Sequence, residues 1–545
     1  MHDGPSEVKK PPSPQADASV EPVVRLSHRR RKAVLTSVML GLFLSALDQT
    51  VISVALRTIT DDLHGLSQQA WVTTAYLVTG TVVGPMYGKL ADIFGRRRTY
   101  ATAIALFAVG SLLCAAAGSV TELAVFRAVQ GMGGGGLASL AMTVIADVTT
   151  LRERGRYQGF YTAVFGTAAL AGPVVGGVLA GQDALLGVAG WRWIFLINLP
   201  LAALALVMVL RLLRVPHRPV RHRLDVLGAV ALVAAAAPLL VAAEQGGAWG
   251  WGSRTAWSLY GAGVLGLAVF VAVERRAGDA ALLPLRLFRA HVFRLGVTLH
   301  FMVGFGVFGA AVTLPLYLQL VQGMTPVEAG LASLPTAAAS LVTTLVVGRI
   351  IARTGRIKPC LVAGVACLAL GLLVCAGLGL GSSMLVVTAG MVLLGAGMGA
   401  AMQTMTTLAQ SGTPRSDMGA ATAAVNFFRT SGGTVGTALF LSVVFSSTAS
   451  HVHERISAAS RNAPFRALAE QPGNARVITS LLGPGGNGEP RDSSALARLD
   501  AVLSRPFREA YADALHAAFL LGAVVMLAAL VHAIARVPDS TLPDA

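Results

Sequence analysis

Charge is scarce in this sequence, and so is cysteine. Only 13% of the 545 residues are charged while 54% are hydrophobic, which is too little polar surface for a water-soluble globule of this length. The cysteines Cys114, Cys360, Cys367 and Cys375 lie inside apolar runs with no C-x-x-C spacing. That excludes a disulfide framework or a zinc site and leaves them as small apolar fillers. Lysine is nearly missing, with 5 against 38 arginines; together with plentiful Ala and Gly this bias points to a high-GC, bacterial genome. No G-x-x-x-x-G-K-[ST] stretch occurs, so ATP is not expected as an energy source. Neither an H-E-x-x-H motif nor a Ser–His–acid set appears, so the chain is not expected to be an enzyme, and the short tails offer no signalling domain for a receptor.

Positive charge is present in excess, at +16, but it does not form a patch interleaved with aromatics. It recurs in short clusters between long apolar runs, the pattern of membrane flanks rather than of a nucleic-acid surface. A span needs about 20 apolar residues. Such runs occur near 33–56, 71–90, 100–118, 122–147, 158–181, 192–213, 224–243, 257–274, 296–321, 327–351, 358–380, 383–409, 417–447 and 514–536. The expected fold is therefore an all-α membrane protein of fourteen transmembrane helices. With the N-terminus in the cytoplasm, the inner side collects Arg29–Lys32, Lys89, Arg96–Arg98, Arg152, Arg154, Arg156, Arg211–Arg223, Arg275–Arg294, Arg349–Lys358, Arg415 and Arg536. The short outer connections hold only Arg57, Arg192 and Arg254. This asymmetry predicts a multi-pass protein of the cell membrane with both termini cytoplasmic.

The chain repeats itself. Gly88–Arg96 matches Gly348–Arg356, and Gly172–Gly176 matches Gly432–Gly436, both at an offset of 260. Gly-rich Gly131–Gly136 matches Gly395–Gly399 at nearly that offset. Two six-helix bundles related by an internal repeat are expected, at 33–213 and 293–537, with two inserted helices at 214–292. Residues 1–32 and 538–545 are tails. The connection 447–511 reads as a long polar outer loop, with a flexible stretch at Leu481–Gly488 flanked by short amphipathic helices. In it His451 and His453 beside Glu454 lack further ligands, and read as a solvated helix end rather than a metal site.

Several of these segments resemble the signatures of the major facilitator superfamily. Gly88 to Arg98, with Asp92, Gly95, Arg96 and Arg97, resembles its cytoplasmic loop motif. Phe126–Gly131 resembles its fourth-span motif, and Gly166 to Gly177 its antiporter motif. Leu47–Leu56 and Trp191–Pro200 are similar to the fourteen-span drug:proton antiporter branch, although Ser53 and Arg57 stand where that branch usually has Asn and Pro, and Ala352 replaces Asp in the second-half loop. The resemblance implies a proton-driven exporter of hydrophobic or cationic small molecules such as antibiotics and dyes, with a proton gradient in place of a cofactor. An exporter of lipid or envelope components is the alternative, the long outer loop then meeting an extracytoplasmic partner. A monomer is expected.

Within that frame Asp48 stands out. It lies roughly 22 Å along the first span when counted from Ala33 at 1.5 Å per residue. It shares a helical face with Gly41, Ser45, Ile52 and Ala55. An acid at such depth is costly unless protonated, hydrated or paired, which makes proton or substrate handling there the leading role; a structural hydrogen bond to Gln49, Thr50 or a neighbouring helix is the alternative. Arg127 in the fourth span is the basic anomaly. Snorkelling to the outer surface competes with the proton-coupling role that the resemblance implies. For Arg429 the same two readings are balanced, and His300 reads as a satisfied core histidine. Asp92 near Arg96 and Arg97 reads as part of a gate. Gly172, Pro173, Gly176 and Gly177 predict a helix break with a close-packing face, and Pro315 and Pro335 predict bends. Gln49, Tyr76, Tyr317, Met402 and Phe427 are candidate linings of a substrate cavity.

Overall fold

The computed structural model describes residues 27–64, 69–149, 154–182, 184–213, 225–278, 281–324, 326–411, 413, 417–461, 463–469, 471, 474 and 500–539. Residues 1–26 of the N-terminal tail and the Leu481–Gly488 stretch lie outside these residues, while the tail's residues from His28 to Lys32 are helical, at the start of the first helix. Helices account for nearly all of the described chain: α1 (His28–Asp62), α2 (Gln69–Phe94), α3 (Arg96–Ala116), α4 (Val120–Val148), α5 (Arg154–Ala180), α6 (Arg192–Leu196), α7 (Asn198–Leu212), α8 (Val226–Trp249), α9 (Arg254–Ala277), α10 (His291–Leu316), α11 (Pro326–Ala332), α12 (Leu334–Thr354), α13 (Lys358–Ala376), α14 (Met384–Ser411), α15 (Met418–Ala459), α16 (Ala463–Ala469) and α17 (Ala501–Arg536). A two-residue hairpin, β1 (Ala184–Leu185) and β2 (Val188–Ala189), caps the turn before α6. Twelve helical segments among the described residues are long and apolar enough to cross a membrane. Helices α2 and α5, not among those twelve, run beside them, α2 against α4 and α5 against α1. Each is about 40 Å long at ~1.5 Å per residue, enough to cross as well, so the arrangement is compatible with fourteen spans.

The repeat seen in the sequence recurs in the backbone. Gly95 and Gly355, paired by the 260 offset, both take positive φ, 86° and 68°. That region disfavours a side chain, so both loops turn on a glycine. A Cβ at Gly176 would lie 2.7 Å from the Val51 carbonyl oxygen of α1. At the matching Gly436 the near neighbour is Phe305 of α10. The fifth helix of each half thus docks on the first through bare backbone, as small-residue faces do in membranes.

One apolar core lies among residues from Leu295 to Val537, and two more lie between Val34 and Leu213. Helices α8 and α9 bridge them. Ala236 and Leu240 pack on Val78 and Val82 of α2, while Leu232 and Phe270 share a cluster with Ala421 and Val425 of α15. Gln245 Nε2 donates to Thr74 Oγ1 at 3.0 Å, and Trp251 Nε1 to Ser442 Oγ at 2.5 Å. The outer face of α9 leaves Trp257, Val264, Leu265, Leu267 and Val269 exposed, a surface suited to lipid.

Two expectations are corrected. Helix α5 does not break at Gly172–Pro173 but runs unbroken to Ala180. A membrane helix tolerates proline where neighbours support the backbone; here Thr50 Oγ1 of α1 donates to the Ala168 carbonyl at 2.9 Å, one turn earlier. Nor is 447–511 a loop throughout. Helix α15 continues to Ala459 and α17 begins at Ala501. Val452, Ile456, Phe465, Leu503 and Phe507 of this region are buried in the C-terminal core. His451 Nδ1 faces the Ser447 carbonyl at 2.6 Å, and no metal-binding cluster occurs among the described residues. Pro315 precedes a π-helical turn at Tyr317–Val321, and Pro335 sits at the start of α12, after the break that ends α11.

Candidate functional site

Helix α4 is fixed at its N-terminus by Ser119, whose hydroxyl accepts from the Glu122 N–H at 3.2 Å. Arg127 therefore starts only ~10 Å along the helix. Its side chain nevertheless turns inward, and the residue is 1% exposed. Arg127 Nη1 donates to Asp48 Oδ2 at 2.6 Å and to Gln130 Oε1 at 2.5 Å. The other carboxylate oxygen, Asp48 Oδ1, accepts from Gln130 Nε2 and from Asn198 Nδ2, both at 2.8 Å. Ser111 Oγ completes the set, accepting from Gln130 Nε2 at 2.7 Å. The guanidinium stacks over the Tyr76 ring, 4.0 Å from its centroid, and Tyr76 Oη lies 3.0 Å from Ser45 Oγ.

Helices α1, α2, α3, α4 and α7 thus meet at one buried ion pair. Close approach makes this reachable: a Cβ at Gly110 would lie 2.5 Å from Gln130 Cα, so only glycine lets α3 come near enough for Ser111. Snorkelling of Arg127 is excluded by this geometry. Charge-assisted bonds in so dry a setting are strong, and a carboxylate with three donors is fully committed. Gln130, Ser111 and Asn198 were not singled out from sequence. Two signals were present: Gln130 lies three residues from Arg127 on one helical face, and Gln130 and Asn198 fall inside the family-like segments Phe126–Gly131 and Trp191–Pro200.

A second polar cluster lies at the end of the bundle that carries Arg96–Arg98, called here the basic end. Arg96 Nη1 donates to Asp92 Oδ1 and its Nε to Asp147 Oδ2, both at 2.6 Å. Arg97 points outward and is exposed. A Cβ at Gly88 would come within 2.8 Å of the Gly419 carbonyl oxygen and of Ala423 Cβ, so α2 and α15 touch there because Gly88 has no side chain. The Asp92 carboxylate lies beside Gly419 at the N-terminus of α15, where a helix dipole favours negative charge. Next to it Arg286 Nη2 and Nε pair with Asp417 at 3.0 and 3.2 Å. Buried Glu274, at the end of α9, accepts from the N–H groups of Leu282 and Leu283 at 3.1 and 3.2 Å.

The remaining candidates are scattered. Gln49 is exposed although it follows Asp48 within a span. Gly166 faces Ala337 of α12 at contact distance, Gly172 packs on Thr50, and a Cβ at Gly177 would meet nothing within 4 Å. Phe427 packs against Phe428, with centroids 5.5 Å apart, beside α8. Met402 is half-buried against the C-terminal core. Tyr317 is fully buried and donates to the Gly379 carbonyl at 3.0 Å, away from Asp48. His300 is satisfied at both ring nitrogens, facing the Gly296 carbonyl at 2.7 Å and Thr406 Oγ1 at 3.3 Å.

A sequence profile described as Major Facilitator Superfamily matches residues 38–437. The chain is similar to "Multidrug transporter protein MdtP" of Bacillus subtilis (strain 168), 34% identical over 408 residues, 75% of this chain and 74% of the relative. It is 38% identical over 416 residues to "Uncharacterized MFS-type transporter Rv1877" of Mycobacterium tuberculosis, covering 76% of this chain but 60% of the relative. Among solved structures, a proton:xylose symporter, XylE, superposes with a TM-score of 0.56 at 15% identity, covering 95% of this chain and 98% of that one; this likeness concerns the fold alone.

Proposed function

The chain belongs to the major facilitator superfamily, and from that premise we propose that it is a proton-driven secondary transporter exporting hydrophobic small molecules, drugs among them, by alternating access. Residues 33–213 and 293–537 are in this reading the two bundles that rock against each other, with the basic end facing a bacterial cytoplasm. The observation that carries it is the buried Asp48–Arg127 pair held by Gln130 and Asn198. Asp48 is the one carboxylate buried at mid-depth among the described residues, and it cannot keep all its partners once it binds a proton. Protonation cancels the charge around which Arg127, Gln130 and Asn198 are arranged, and frees α1 to shift against α4 and α7. Loss of that proton to the other side re-forms the pair and returns the halves. Each charge-assisted bond is worth about 1.5–3 kcal/mol, enough to move a two-state population about tenfold or more.

The closed state of the basic end is held by Asp92 at the N-terminus of α15 and by the Gly88–Gly419 contact. Dye movement in inverted vesicles, with and without a proton gradient, tests the proposal. Gradient-dependent uptake is expected, abolished in Asp48→Asn while dye binding persists. Full gradient-driven transport by that variant would remove Asp48 from the coupling step.

A further inference from the structure

Arg429 is the second arginine at mid-depth, about 17 Å along α15 from Met418. It is 8% exposed, and its circumstances differ from those of Arg127. No carboxylate lies within ion-pair distance among the described residues. Its Nη2 donates to Asn426 Oδ1 at 2.7 Å, its guanidinium lies 5.7 Å from the Phe308 ring centroid, and its Nε, like that of Arg127, has no partner. Across the boundary between the halves it faces Tyr161 of α5, whose buried hydroxyl also lacks a geometrically sound hydrogen bond.

The charges at this depth do not cancel. Asp48 is committed to Arg127, and His300 is bonded at both ring nitrogens, to a carbonyl and to a hydroxyl. Arg429 is left as a net positive charge between α5, α10 and α15. A buried cation that faces one amide oxygen, one aromatic ring and a tyrosine hydroxyl has no anionic partner among the described residues, and its Nε is left without an acceptor. The flat fork of a guanidinium matches a carboxylate in particular.

We propose that Arg429, with Tyr161 across from it, is the anchor for an anionic group, a carboxylate, on the hydrophobic molecules this protein exports. The proposal rests on the exporter reading above and narrows it to amphiphilic acids; the cationic substrates expected from sequence become the opposing outcome. Substrate entry would neutralise the charge and satisfy the fork, so that the loaded cavity is cheaper to close than the empty one.

The test uses three pyrene ligands of one shape: 1-pyrenebutanoate, 1-pyrenebutanol and pyrenylbutyl-trimethylammonium. Their binding to the purified full-length protein is followed by fluorescence. The butanoate is expected to bind about tenfold or more tighter than the other two. Arg429→Gln should bring it down to the level of the alcohol without altering the ammonium ligand, and Arg429→Lys should keep part of the preference. Equal affinity of acid and alcohol for the unaltered protein, tighter binding of the ammonium ligand, or a preference that survives Arg429→Gln would each overturn the anchor. The first two of these need no variant to fold. Equilibrium binding needs no gradient, so vesicles that pump no dye while acid binding is intact would count against the exporter reading alone.

Discussion

Asp48 and Arg127 would each be expensive alone, and the expense is what ties them together. Asp48→Asn leaves the guanidinium in place with amide oxygens as its only acceptors, and breaking a buried pair this way costs about 3–5 kcal/mol. Arg127→Gln should be similarly harmful, whereas the double variant removes both charges. Thermal unfolding in detergent is expected to show each single variant well below the unaltered protein and the double variant recovering more than half of the loss. Strictly additive losses would mean that the two residues act independently. The charges themselves were legible in the sequence because an ionised residue inside an apolar run is conspicuous. Their partners were not: Gln130, Ser111 and Asn198 are neutral, and nothing in hydropathy distinguishes a polar residue that reaches a carboxylate from one that bonds its own helix. Tyr317, buried and bonded to the Gly379 carbonyl, shows the converse difficulty, since an aromatic at a plausible depth is as easily part of a core as of a cavity.

Helix α15 has 42 residues and α17 has 36, or about 63 and 54 Å against a hydrocarbon layer of about 30 Å. Both therefore leave the membrane as helices. Short amphipathic helices were legible beside the loop, but not their continuity with the spans, because the search for spans rests on apolar length and stops where a helix turns polar on entering water. Arg455 reaches Asp513 at 2.7 Å and Glu509 at 3.3 Å across the pair, but these exposed bridges add little; buried Val452, Phe465 and Phe507 hold it. Replacing 447–511 by a short polar linker is expected to give a protein that cannot be purified as a monodisperse species. Replacing only 475–499, which spares those contacts, should leave both folding and dye transport intact. Failure of the second replacement in transport alone, with folding preserved, would favour delivery of a substrate to a partner outside. The glycines make a sharper element-scale test. Gly88→Ala places a methyl between α2 and α15 at a cost of about 1–3 kcal/mol and should raise labelling of cysteines introduced at the basic end. Gly177→Ala, which meets nothing within 4 Å, should not.

At the scale of the molecule, the inserted helices link the halves that must separate. Helices α8 and α9 pack on α2 and on α15, and the segment after α9 carries Arg286 to Asp417 at the N-terminus of α15. Arg286→Ala removes a half-exposed pair worth up to about 1 kcal/mol, and Asp92→Asn a more buried contact of about 1.5–3 kcal/mol. Spin-label distances between the basic ends of α2 and α15 should lengthen in both variants, more in Asp92→Asn; unchanged distances would reduce these residues to topology signals. The repeat is the sequence signal behind the proposed two halves; it carries no information on where α8 and α9 sit, because they have no counterpart in it. The helical projection formed by α15 and α17 has a practical consequence of another kind. A protein made of two similar bundles offers an imaging experiment almost nothing outside the detergent belt by which to tell one half from the other. A paired stalk rising about 20–30 Å beyond the hydrocarbon on one side supplies an off-axis landmark. Particle images of this transporter should therefore align by electron cryomicroscopy without an added antibody fragment.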